Sequence, residues 1–158
     1  MKRNHHDTVD LLLGDRTVAV DAELAGVILG LWDLGIRTRA CCQGSLGVDP
    51  VVATRKDFAY IMFEDIDGLR AFLDLFEGTD LAGRRFGQRW NWADDGVSSV
   101  PVLPRAWTFD AGVHQPRHDA EHFVISGTVR LLPADIDRIE SVLQSRLQGA
   151  RIDGVRGK

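Results

Sequence analysis

Gly35-Ile36-Arg37-Thr38-Arg39-Ala40-Cys41-Cys42-Gln43-Gly44 is the stretch on which the fold turns. Gly35 supplies a stop for a preceding helix. From Ile36 to Ala40, apolar or small residues alternate with arginine, the period of a strand with one wet face. That strand runs straight into a loop bearing Gly44 and Gly47, so the loop stands at a strand's carboxyl end. Upstream, Leu24, Val27, Ile28, Leu31 and Leu34 recur at helical spacing behind Asp21, which is placed to cap the helix. Trp32 lies off this stripe, and the helix is apolar enough to predict cover on more than one side. Earlier still, residues 9–13 and 16–20 flank Gly14-Asp15, the signal for an opening hairpin.

Downstream, residues 58–63 are apolar on both parities and predict a central strand. Asp65 caps a second helix with Ile66, Leu69, Phe72, Leu73 and Phe76 on one stripe, ended by Gly78. Residues 87–91 and 97–103 bracket Asp95-Gly96, a second hairpin, and Pro101 and Pro104 move its return strand to a sheet edge. Trp107 and Phe109 predict a short strand before a loop over 111–121, and residues 123–131 a long half-buried strand interrupted by Gly127. Pro133 opens a last helix with Ile136, Ile139, Leu143 and Leu147 inward. Residues 1–8 and 150–158 read as flexible tails. The expected architecture is one α+β domain over residues 1–158, a mostly antiparallel sheet with three helices in a two-layer, ferredoxin-like sandwich. The connections are too short and hairpin-rich for a doubly wound parallel sheet.

The composition agrees: 158 residues, 44% hydrophobic and 27% charged, exclude collagenous, coiled-coil and wholly disordered chains. The longest apolar runs, such as residues 27–32, fall far short of the ~18 residues of a membrane span, so no membrane partner is expected. Nineteen basic against 23 acidic residues give a formal charge of −4, which opposes general nucleic-acid binding. Cys41 and Cys42 are adjacent, so a bond between them would be strained and would staple no loop. No apolar signal-type stretch precedes Asp10, and reduced thiols in a bacterial-type cytoplasm are the expectation.

Two places could carry chemistry. With unbroken alternation, Arg37, Arg39 and Cys41 share one strand face while Cys42 faces the core. Two guanidinium groups near Cys41 would favour its thiolate, and Gly44 and Gly47 would let loop amides turn towards an anion. Arg37, Arg39, Gln43, Gly44 and Ser45 are therefore the expected ligand-binding residues, with Cys41 and Cys42 the catalytic candidates. The same cysteines also suit a plain core-filling role. Neither a phosphate-binding Walker loop nor a Cys-x-x-Cys pair is present.

The stretch from Asp21 to Gly44, together with Tyr60-Ile61-Met62-Phe63, resembles a class of uncharacterised bacterial and phage proteins. In these a helix leads to a Gly-Ile-x-Thr-x-x-Ser-Cys-x-Gly segment and a Tyr-Ile-Met-Phe-type strand follows. The resemblance covers roughly the first half of the chain and sets Cys42 on the family's cysteine, with Cys41 where serine is usual. The loop is also similar, more distantly, to the Ser-Cys-x-Gly loop of wybutosine-type tRNA methyltransferases, which use S-adenosylmethionine; Ser45 stands where that motif has arginine. That similarity implies small-ligand binding rather than methyl transfer, and the residues themselves specify no cofactor.

The second place is His114, His118 and His122, at intervals of four with Asp119 and Glu121 between. On one helix they would align three imidazoles for a divalent metal, but Pro116 interrupts any such helix. His122 then begins a strand, leaving His114 and His118 on a solvated loop; no metal is expected there, and His114, His118 and His122 are the candidates if an ion is held. Arg130 and His122 share the polar parity of their strand with Ser126 and Thr128. In one sheet with Arg37 and Arg39, they would make an open basic face suited to an anionic small molecule or nucleotide. The alternative is a non-enzymatic protein–protein interaction module, phage-associated or antitoxin-like, with a homodimer formed through that face or the first helix. Trp90, Trp92 and Trp107 are expected in the core rather than on a base-stacking platform.

Overall fold

The computed structural model describes residues 6–45, 57–86, 90–92, 99–101, 107–114 and 122–156. The chain opens as the hairpin its Gly14-Asp15 turn dictates. β1 (Thr8–Leu13) pairs antiparallel with β2 (Arg16–Asp21), and Asp7 extends the ladder by accepting the Ala22 N–H at 2.8 Å. Pairing thus begins inside the segment read as an N-terminal tail. A 3-10 turn (Ala22–Leu24) leads into α1 (Ala25–Asp33), whose Val27, Ile28 and Leu31 are fully buried. The helix ends at Gly35 as expected: the Gly35 N–H bonds the Trp32 carbonyl and the Ile36 N–H the Leu31 carbonyl, a Schellman pair. Asp21 does not cap it, because its side chain accepts no bond from the helix and reaches the Gln43 N–H instead.

There follow β3 (Thr38–Cys42), β4 (Ala59–Phe63) and α2 (Ile66–Asp74), the last capped by Asp65, which accepts the Gly68 N–H at 2.7 Å. After them come β5 (Trp90–Trp92), β6 (Ser99–Pro101), β7 (Thr108–His114), β8 (Val124–Leu131) and α3 (Ile136–Arg156). The main sheet is antiparallel with strand order β3-β4-β8-β7; β4, apolar on both parities, lies inside it. β5 and β6 pair with each other, Pro101 closing the edge strand, while Asp95-Gly96 and Pro104 lie outside the described residues. β7 runs on to His114, beyond the short strand predicted, because β8 offers it a partner along its whole length. α3 likewise continues through Gly149 and Gly154 into the segment read as a C-terminal tail.

The fold is α+β, with three helices among the described residues and antiparallel sheets. Ala59, Ile61 and Phe63 on β4, with Val129 and Leu131 on β8, are fully buried on one sheet face and share a core with Leu69 and Phe72 of α2. α2 sits so close that a Cβ on Gly127 would lie 2.5 Å from Leu69 Cβ, which accounts for the glycine in mid-strand. α1 and α3 pack together over the same core. Phe63, Phe72, Phe76 and Trp107 form a chain of ring contacts at 5.0–5.4 Å, each pair contributing about 0.5–1.5 kcal/mol beyond area burial. Trp107 is fully buried, as expected, and its indole N–H donates to Asp135 at 3.0 Å, while Asp135 also pairs with Arg84 at 3.2 Å. The side chains of Trp90 and Trp92 lie outside what is described.

Candidate functional site

Unbroken alternation fails along β3. Thr38 faces Phe63 and Ala40 faces Met62, two steps on β3 against one on β4, so Arg39 is the extra residue of a β-bulge. A one-residue slip exchanges the two faces of a strand. Cys41 therefore falls opposite Ile61 and packs against the core, while Cys42 falls opposite Tyr60 on the far face, the reverse of the expected assignment. Arg37, ahead of the strand, and Arg39 are both exposed.

The thiols follow this placement. Burial, reinforced by the negative charge of Asp21, pushes the Cys41 thiol up to about 11, and burial also raises Cys42 and Tyr60. Arg37 and Arg39 thus do not make Cys41 a thiolate, and at neutral pH both cysteines are protonated. As catalytic candidates they lack the depressed pKa that activates a nucleophile.

The loop after them is locked from two sides. Asp21 Oδ2 accepts the Gln43 N–H at 2.9 Å, and the buried Gln43 side chain accepts the Glu23 N–H at 3.3 Å. Gly44, at φ 71°, lies so close to the start of β4 that a Cβ would stand 2.5–2.6 Å from backbone atoms of Asp57, Phe58 and Ala59. The Ser45 N–H bonds the Asp57 carbonyl at 3.0 Å, and the Gly44 N–H supports the Cys42 sulfur. Around Gly44 the Gln43, Gly44 and Ser45 amides are thus engaged within the fold instead of turning towards an anion, and Gly47, the other glycine expected to allow such a turn, lies outside the described residues.

Beside the loop, residues of β2, α1 and β3 bound a cleft of about 570 Å³. Val18, Val20, Ile28 and Trp32 give it an apolar floor, with Arg16, Arg39 and Glu64 among its polar lining and Cys41 at its wall. The Trp32 indole N–H donates to Thr38 Oγ1 at 2.9 Å, fixing the ring against β3. Its volume is that of a small-molecule site. No family model, curated protein or solved structure matches this chain. A groove of about 680 Å³ also lies between the turn at 77–80 and α3, but its arginines are taken. Arg138 pairs with Asp80, and Arg146 donates to the Leu75 and Glu77 carbonyls.

The remaining candidates are dispersed. Arg130 is in register with Tyr60, which is in register with Cys42, so it stands on the Cys42 face two strands away, about 10 Å. Its guanidinium is paired with Asp110, and Ser126 and Thr128 beside it are buried, so the expected open basic face is neither open nor uncompensated there. His122 is exposed just ahead of β8; His114 ends β7 with its side chain outside what is described, and His118 lies outside the described residues. A different group is brought together instead: His6, Asp21 and Cys42 place one ligand atom each within 4.8 Å of one another. The hairpin register that sets Thr8 opposite Asp21 creates this meeting, and no local spacing announces it. Arg16, Trp32 and Glu64 were missed for the same reason.

Proposed function

We propose that the chain is a small ligand-binding domain that takes an anionic organic molecule, a nucleotide or an aromatic carboxylate, in the cleft between β2 and β3. The observation that carries this is the pair Arg16 and Arg39 lining a cleft with an apolar floor, against one carboxylate, Glu64. Guanidinium groups match carboxylate and phosphate in fork geometry, and Trp32 offers the ligand's body an aromatic surface. Arg39 reaches the cleft because the bulge places it there. Cys41 contributes to the cleft wall, while the described loop residues 43–45 are tied to the fold rather than to the cleft. We place the domain in the ferredoxin-like class. Supporting this, the order β3-β4-β8-β7, with α2 leading from β4 over β8 to β7, is that of a ferredoxin-like sheet whose chain starts before its first helix. Two free cysteines suit a cytoplasmic location.

A thermal-shift screen of nucleotides, S-adenosylmethionine and small aromatic carboxylates is expected to give a hit. Arg39→Ala and Arg16→Ala should each weaken it at least ~10-fold, about 1.4 kcal/mol. A clean negative across the screen overturns the proposal. The interaction-module reading draws support from Val113, Phe123 and Ile125, exposed at one end of β7 and β8. It predicts a dimer by light scattering at micromolar concentration, lost on Ile125→Glu; a monomer at high concentration removes its homodimer form.

A further inference from the structure

We propose that His6, Asp21 and Cys42 form a binding site for a divalent transition-metal ion, with zinc the best match. An imidazole nitrogen, a carboxylate oxygen and a sulfur lie within 4.8 Å of one another, and all three residues are half-buried. Around a tetrahedral ion with bonds of about 2.0–2.3 Å, donor atoms stand roughly 3.3–3.8 Å apart, so closure moves each by less than ~1 Å.

The scaffold holds the three together. His6 precedes β1, Asp21 ends β2 and Cys42 ends β3. The hairpin ladder carries residue 6 to Asp21, with Thr8 opposite Asp21 and the Asp7 carbonyl on the Ala22 N–H. The bond from the Gln43 N–H to Asp21 then ties the Cys42 segment to the same point and orients the carboxylate. Gln43 is itself fixed by the Glu23 N–H, the kind of outer support that conditions metal affinity. Sulfur and nitrogen donors suit zinc or cobalt, whereas magnesium and calcium take oxygen. Three protein donors leave a fourth position for water or a ligand group. Binding converts the Cys42 thiol to a thiolate and releases its proton to solvent. Cys41, turned to the other face by the bulge, is not a ligand, and neither cleft arginine takes part, so this site stands apart from the cleft proposal.

The test is a titration of the full chain, purified without a histidine tag and stripped with chelator, with Co2+ followed by Zn2+. The expected result is saturation at one equivalent, a thiolate-to-cobalt charge-transfer band with tetrahedral d–d bands, and displacement of cobalt by zinc. Cys42→Ser should abolish the charge-transfer band, Cys41→Ser should keep it, and His6→Ala, a change at the periphery of the fold, should lower affinity at least tenfold. Circular dichroism checks that each variant is folded. Absence of saturable binding up to millimolar metal overturns the site. So does a charge-transfer band that survives Cys42→Ser, affinity unchanged in His6→Ala, or cobalt binding without thiolate absorption. Repeating the organic-anion titration on metal-free protein separates failure of this site from failure of the cleft.

Discussion

Gly44→Ala is the sharpest test of how the cysteine loop is held. The residue sits at φ 71°, where an L side chain costs about 1–2 kcal/mol. The added methyl would lie 2.5 Å from the Asp57 carbonyl oxygen and 2.6 Å from Ala59 N and Phe58 C, all backbone at the start of β4. These atoms move only with the strand, and real Cβ atoms essentially never come so near, so a further 1–2 kcal/mol is expected, about 2–4 in all. For a chain of this size that is a fall of about 5–15 °C in Tm. Urea unfolding followed by tryptophan fluorescence measures it, and Gly149→Ala, in open space on α3, is the control that should be neutral or stabilising by up to ~1 kcal/mol. Gly44→Asn separates the two causes: asparagine tolerates positive φ but carries the same Cβ, so it should rescue little. A loss below ~0.5 kcal/mol in Gly44→Ala, or full rescue by asparagine, would refute the close approach of loop and strand.

Other consequences are equally direct. Asp135→Ala removes the acceptor of the buried Trp107 indole and the partner of Arg84, and should cost about 2–4 kcal/mol in urea unfolding, with Asp135→Asn, which keeps an acceptor, costing less. Cys41, with its thiol pushed up to about 11, should react with iodoacetamide at pH 8 at least ~100-fold more slowly than free cysteine, measured by peptide mass spectrometry. Because the folded state holds that proton more tightly than the unfolded one, the stability it contributes is present below pH 9 and is lost as pH rises towards 11. Cys41→Ala should flatten that part of the alkaline unfolding profile.

Where local chemistry decides, the sequence was a good guide. Gly14-Asp15 made its hairpin, Gly35 ended α1, Asp65 capped α2 and the doubly apolar strand became an inner one. Each depends on residues a few positions apart. The candidate site was harder to see because one inserted residue decides it: the bulge at Arg39 reverses the faces of Cys41 and Cys42, and nothing in an alternating string marks where the alternation slips. Asp21 illustrates the other difficulty. Its position suggests a helix cap, but a bond to Gln43, 22 residues away, wins the carboxylate, and that long-range choice brings His6, Asp21 and Cys42 together. Arg130 shares its strand face with Ser126 and Thr128, as alternation along residues 123–131 predicts, yet its neutralising partner, Asp110, becomes its neighbour only when β7 pairs with β8.

The central claim is that the cleft between β2 and β3 receives an anionic organic ligand, and amide and indole chemical-shift mapping during titration with nucleotides and aromatic carboxylates tests it most directly. The predicted outcome is a saturable set of shifts concentrated at Val18, Val20, the Trp32 indole and Thr38 to Cys41, absent in Arg39→Ala. No saturable shift with any of these ligands, or shifts confined to the turn at 77–80 and α3, would contradict it.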